Sequence, residues 1–136
     1  MSLIEWDQSF DVGVKLINDQ HKRLFLLFNK LYDAKEKNIE KTLNDTIQEL
    51  MFYVDFHFRT EEKYFKEFQY EKTKEHMEQH KIFENKAKDF HKKYLEKKEE
   101  GKLTQEIINF LKDWLINHIK IVDKEYKKCF NDHGLV

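Results

Sequence analysis

Proline is absent from this sequence, glycine occurs three times and cysteine once. With so few breakers, little along the chain interrupts a helix. The lone Cys129 cannot close an internal disulfide and reads as a small apolar filler or a free thiol. No run approaches 18 uninterrupted apolar residues, which argues against a membrane-spanning helix. The first residues carry no basic stretch leading into an apolar one, so no secretory signal is expected. With the single thiol, this points to a reduced, cytoplasmic setting. Charge of one sign is lacking too. The 25 basic and 26 acidic residues nearly cancel, and they interleave, as in Lys35-Glu36-Lys37. A nucleic-acid footprint needs a basic excess on one face, so no nucleic-acid partner is expected.

What remains is a chain of 136 residues, a length that fits one domain with one core. Hydrophobic residues at 40% beside charged residues at 38% suit long amphipathic helices with charged outer faces. Twelve phenylalanines predict an aromatic core. The apolar period is three to four rather than two, which disfavours strands.

The expected fold is all-α: an antiparallel up-down-up-down four-helix bundle with an ordered N-terminal arm. Residues 1–18 form the arm, with Gly13 permitting a bend, and residues 19–131 form the bundle within a single domain 1–136. Asn18 or Asp19 is expected to cap a first helix running to about Lys37. The second runs from Ile39 to Phe68, with Asn38 before it. The third runs from Lys72 to Glu99 and is expected to end at Gly101. The fourth is expected to be capped by Thr104 and to run to about Phe130.

Each helix places potential metal donors on its apolar stripe. His21 lies on the first, His57 and Glu61 on the second, His76 and His80 on the third, His118 and Asp123 on the fourth. Residues four apart are only about 40° from aligned and roughly 6 Å apart along the axis, so each four-spaced pair faces one way. His118 and Asp123 are five apart, about 140° around an α-helix. That spacing works if the carboxylate reaches sideways to bridge two ions, or if the helix is locally distorted. One histidine on an apolar stripe is ordinarily a core residue with satisfied nitrogens. Five imidazoles and two carboxylates in one interior would leave many polar atoms unpaired, at about 1–3 kcal/mol each. Metal satisfies them together. His91 lies on the same stripe as His80 but roughly 16 Å further along, and His133 falls in the tail; neither belongs to the cluster. Seven donors with two carboxylates able to bridge suit two octahedral ions, for which iron is favoured over zinc.

At these residues the sequence resembles the hemerythrin family, specifically its single-domain bacterial type. The matching stretches are Asp19-Gln20-His21, His57-Phe58-Arg59-Thr60-Glu61-Glu62, His76-Met77-Glu78-Gln79-His80, and Trp114-Leu115-Ile116-Asn117-His118-Ile119 followed by Asp123. Trp6 and Val12-Gly13-Val14 are similar to the family's arm. The resemblance implies two non-haem iron ions with a solvent-derived oxo or hydroxo bridge. It assigns His76, His80 and His118 to one iron, His21 and His57 to the other, and Glu61 and Asp123 to both. Dioxygen is the implied partner, bound reversibly at the iron with two histidines. Leu24, Phe25, Phe28 and Leu115 are expected to wall an apolar oxygen pocket. A histidine-rich shell carries less negative charge than the glutamate-rich shells of ferritin-like enzymes, which fits reversible binding better than oxygen activation.

The expected function is therefore oxygen storage, transport or delivery in the cytoplasm. One alternative is an oxygen or redox sensor acting through a separate partner, since an output domain is not evident. Another is a di-iron enzyme acting on peroxide or nitric oxide. No additional acid, base or substrate pocket is legible, so an enzyme is not expected, and no protein partner is indicated.

Overall fold

A computed structural model describes residues 4–34, 39–96 and 100–136. Four long helices account for most of them, and no strand occurs among the described residues. Helix α1 spans Lys15–Ala34. Helix α2 covers residues 39–68 in three parts: α-helical Ile39–Tyr53, π-helical Val54–Phe58 and α-helical Arg59–Phe68. Helix α3 spans Thr73–Leu95. Helix α4 covers residues 100–132, as α-helical Glu100–Asp113, π-helical Trp114–Val122, a 3₁₀ turn Asp123–Tyr126 and α-helical Lys127–Asp132. Each helix packs on its two neighbours around a ring, and short connections make those neighbours antiparallel.

Apolar spacing builds the core. Leu24, Phe28 and Leu31 of α1 meet Leu43, Ile47 and Leu50 of α2, Phe83 and Phe90 of α3, and Ile107, Leu111 and Leu115 of α4. All eleven are buried. Between α2 and α3 the chain reverses at Gln69, which adopts the left-handed conformation (φ 52°) that ends many helices. No helix among the described residues is long and apolar enough to cross a membrane.

Several boundaries differ from expectation. Helix α1 starts at Lys15, so Asn18 is inside it and neither Asn18 nor Asp19 is its cap. The Asn18 side chain instead ties down the arm: its Oδ1 accepts from Val12 N–H (3.0 Å) and its Nδ2 donates to Asp11 (2.8 Å). Gly101 does not terminate α3; it lies inside α4. Thr104 is buried within α4 rather than capping it. Burial of Leu103, Thr104 and Ile107 draws this stretch into the helix, overriding the weak propensity of one glycine. Asn38 and the connection 97–99 lie outside the described residues.

The arm is pinned at both ends. Ile4 exchanges two hydrogen bonds with the Asn29 side chain on α1 (3.0 and 3.1 Å). Gly13 takes φ +78°, a backbone conformation that favours glycine, and a Cβ there would also push the Lys127 side chain aside from 2.6 Å. On either side of the bend, Val12, Val14 and Ile17 are fully buried against Phe65, Tyr70, Tyr126 and Phe130. This second apolar cluster closes the bundle at the end where the polar residues lie.

Candidate metal centre

The seven inward polar side chains converge in the interior. His21, His57, Glu61, His76, His80, His118 and Asp123 are each at most 3% exposed. Two groups can be drawn in which one donor atom per residue lies within 4.8 Å of every other. One comprises Glu61, His76, His80 and His118; the other comprises His21, His57, Glu61 and Asp123. Glu61 belongs to both. Asp123 also spans the two, with Oδ1 lying 2.8 Å from His76 Nε2 and 2.9 Å from His118 Nε2, while Oδ2 lies 3.0 Å from His21 Nε2.

The π-helical stretch of α4 makes this convergence possible. Its hydrogen bonds reach back five residues, and the Asp123 N–H donates to His118 O. Five residues then make close to one turn, which brings His118 and Asp123 onto the same face. The anticipated local distortion is therefore present, and the carboxylate spans both groups as well. A second π-helical turn holds His57.

Glu61 Oε1 lies 3.3 Å from His57 Nε2, 3.0 Å from His80 Nε2 and 3.8 Å from His76 Nε2. Yet all five Nε2 atoms, Glu61 Oε1 and both Asp123 oxygens are buried without a hydrogen-bond partner. The donors stand close together yet satisfy none of one another's hydrogen-bonding capacity. Ligands about 2.1 Å from one ion and at right angles around it stand about 3 Å apart, which is the spacing seen here. Left without a cation, these eight atoms would each cost about 1–3 kcal/mol. The residues fit a pair of metal ions.

The electrostatics agree. Burial pushes the carboxyls of Glu61 and Asp123 up, and the Asp123 charge adds to this at Glu61, but the surrounding imidazoles outweigh these and hold both well below the usual carboxylate range. Burial draws His57 and His118 below their ordinary value, toward the neutral imidazole that binds metal. His80 goes the other way. Burial lowers it, but the Glu61 and Glu62 carboxylates prevail and push it up to about 9.

Residues that sequence reasoning left without a role surround this shell. Gln20 Oε1 faces His57 Nδ1 (2.5 Å), Gln79 Oε1 faces His118 Nδ1 (2.7 Å) and Glu62 Oε2 faces His80 Nδ1 (2.9 Å). Each acceptor takes the outer N–H and leaves Nε2 free to face inward. Arg59 pairs with both Glu62 and Glu84, tethering Glu62. The Tyr126 hydroxyl donates to Glu61 Oε2 (2.6 Å) and fixes that carboxylate. Three rings lie against three imidazoles: Phe58 on His80 (3.8 Å between centroids), Trp114 on His118 (3.8 Å) and Tyr53 on His57 (4.9 Å). The available signal was adjacency: Gln20, Glu62 and Gln79 each neighbour a donor in sequence.

Leu24, Phe25, Phe28 and Leu115 are all buried in the main apolar cluster. His91 is half-buried on α3 and His133 is exposed; neither joins the two groups of donors.

Comparisons with known proteins return one family. A sequence model described as the hemerythrin HHE cation binding domain matches residues 12–130. A bacteriohemerythrin of Methylococcus capsulatus is 31% identical over 132 residues, covering 96% of this chain and 99% of that protein. A hemerythrin-like protein of Naegleria gruberi is 36% identical, covering 93% and 92%. A crystal structure of wild-type hemerythrin superposes with a TM-score of 0.78 at 32% identity, covering 94% of this chain and 98% of that one.

Proposed function

The chain belongs to the hemerythrin family, and from that premise we propose that it binds dioxygen reversibly at a pair of non-haem iron ions. One ion is held by His76, His80 and His118, the other by His21 and His57. Glu61 and Asp123 serve both, beside a solvent-derived oxo or hydroxo bridge. A single observation carries this reading. Eight buried donor atoms without hydrogen-bond partners divide into a three-imidazole side and a two-imidazole side, with carboxylate oxygens approaching both. When bound, the iron pair supplies the electrons that make oxygen capture reversible.

The chain's own residues do the rest. Gln20, Gln79 and Glu62 orient three imidazoles, and Tyr126 orients Glu61. Leu24, Phe25, Phe28 and Leu115 form the apolar wall that keeps water from the two-histidine side. We read residues 1–136 as one such unit, a binding protein rather than an enzyme, which stores or delivers oxygen in the cytoplasm.

A second reading, an oxygen or redox sensor acting through a separate partner, is favoured by one feature. Val12 and Val14 of the arm pack with Ile17 of α1 in the same cluster as Tyr126, whose hydroxyl holds Glu61, so the centre is linked to the arm through packing. One experiment separates the readings. Iron is counted, the protein is reduced without air, and the visible spectrum is recorded on admitting and then removing oxygen. A band that comes and goes with oxygen supports the carrier. Lasting oxidation without such a band favours the sensor, and steady consumption of peroxide or nitric oxide favours an enzyme.

A further inference from the structure

The three stacked rings form a layer against the imidazoles, and two of them carry polar atoms that this packing leaves unused. Tyr53 is 6% exposed and Trp114 7%. Neither the Tyr53 hydroxyl nor the Trp114 indole nitrogen has a hydrogen-bond partner. Burial first, then Asp123 and Glu61, push the phenol pKa up and keep the hydroxyl protonated, outweighing the Trp114 N–H, which lies close enough to the phenol oxygen to draw it down. Phe58 (5.7 Å) and Phe83 (5.8 Å) border the Tyr53 ring. The hydroxyl is buried with no acceptor for its O–H, and leaving a buried donor unpaired is costly. An indole N–H cannot serve as its acceptor.

The ring of Tyr53 lies one helical turn before His57 and parallel to it, with 19° between the planes. His57 is on the side of the centre with two imidazoles rather than three, where an iron held as proposed would have a position to offer an outside ligand. We propose that Tyr53 donates a hydrogen bond to a small ligand occupying that open position, with the Trp114 N–H as a weaker neighbour. This rests on the iron-pair reading above and adds a polar contact to a pocket whose expected lining was wholly apolar. The ligand class is a two- or three-atom acceptor: dioxygen in the proposed function, azide as its experimental stand-in. The unpaired donor is preorganised for that ligand, and the free protein bears its desolvation.

Tyr53→Phe keeps the ring and its stacking and deletes only the hydroxyl. In the oxidised, iron-loaded protein it should raise the azide dissociation constant about tenfold, the loss expected for one hydrogen bond to a charged acceptor. A rise below about fivefold overturns the proposal. The metal-free variant supplies a second readout. Its thermal midpoint should equal or exceed that of the native chain, because the deleted hydroxyl had no protein partner; a lower midpoint overturns the proposal. Should the variant fail to take up iron, the native zinc-loaded protein is titrated with azide while the Tyr53 hydroxyl proton is followed by NMR. A downfield move supports the contact and an unmoved signal rejects it. A native protein that binds azide but not dioxygen would sink the proposed function and leave this contact standing. Equal azide binding by both chains would do the reverse.

Discussion

The two sides of the centre are built from unequal material. His76, His80 and His118 make one side, where Phe58 and Trp114 cover two imidazoles at 3.8 Å and Glu62 and Gln79 hold their outer nitrogens. The other side has His21 and His57, of which only His57 has an outer partner, Gln20. Its covering ring, Tyr53, stands further off at 4.9 Å. On the proposed reading, the side with three imidazoles would complete its coordination shell and the side with two would take the outside ligand. The shared carboxylates make the sides interdependent, since each anion is stabilised by imidazoles from both.

The largest test of that contrast removes what the sides share. Asp123→Ala withdraws the oxygens facing His76, His118 and His21 at once. Iron measured by elemental analysis should fall from about two ions per chain to below about one. Two ions retained would mean that Asp123 does not connect the sides. His57→Ala should cost only the sparser side, leaving about one ion per chain; full occupancy would remove His57 from the donor set. Leu115→Tyr should leave the iron count intact while slowing or abolishing the oxygen-dependent band. Unchanged oxygen binding would reject Leu115 as pocket wall.

A smaller effect concerns pH. In the metal-free protein, burial depresses His57 and His118. Their stability contribution is present above about pH 6.5 and is lost as pH falls. His80, pushed up to about 9, contributes fully below about pH 6.5 and loses that contribution as pH rises through about 9. Urea titrations across this range should show greatest stability near neutrality, and a steady climb from pH 6.5 to 9 would contradict the assignment. Smallest of all, Glu62→Gln keeps an acceptor for His80 Nδ1 but removes its charge. It should weaken metal retention on the fuller side by about tenfold or less, measured against a chelator.

Much of this arrangement was legible beforehand, for physical reasons that differ by residue. The paired spacings His57–Glu61 and His76–His80, set in stripes such as Leu43-Ile47-Leu50, betray their shared face because the α-helix is so regular. The limits of α2 were legible for the same reason, with Gln69 ending it by left-handed conformation. The spacing of His118 and Asp123 was ambiguous, since a π-helical stretch follows from packing and donor convergence rather than from local residue preferences. Gln20, Gln79 and Glu62 were next to donors in sequence, but their partners lie on other helices, and helix rotation decides such contacts. The start of α4 was misread because Gly101 is a strong local signal, whereas burial of Leu103 and Thr104 is a tertiary one. Tyr53 lies off the periodic stripe that held His57 and Glu61, and only its buried, unpartnered hydroxyl sets it apart.

The central claim is that the seven donors hold two ions in unequal shells. Anomalous diffraction at the iron edge, on crystals of the iron-loaded protein, tests it directly. The expected map has two peaks, one among His76, His80 and His118, the other beside His21 and His57, with Glu61 and Asp123 reaching both. A single peak, or iron bound away from these side chains, would contradict it.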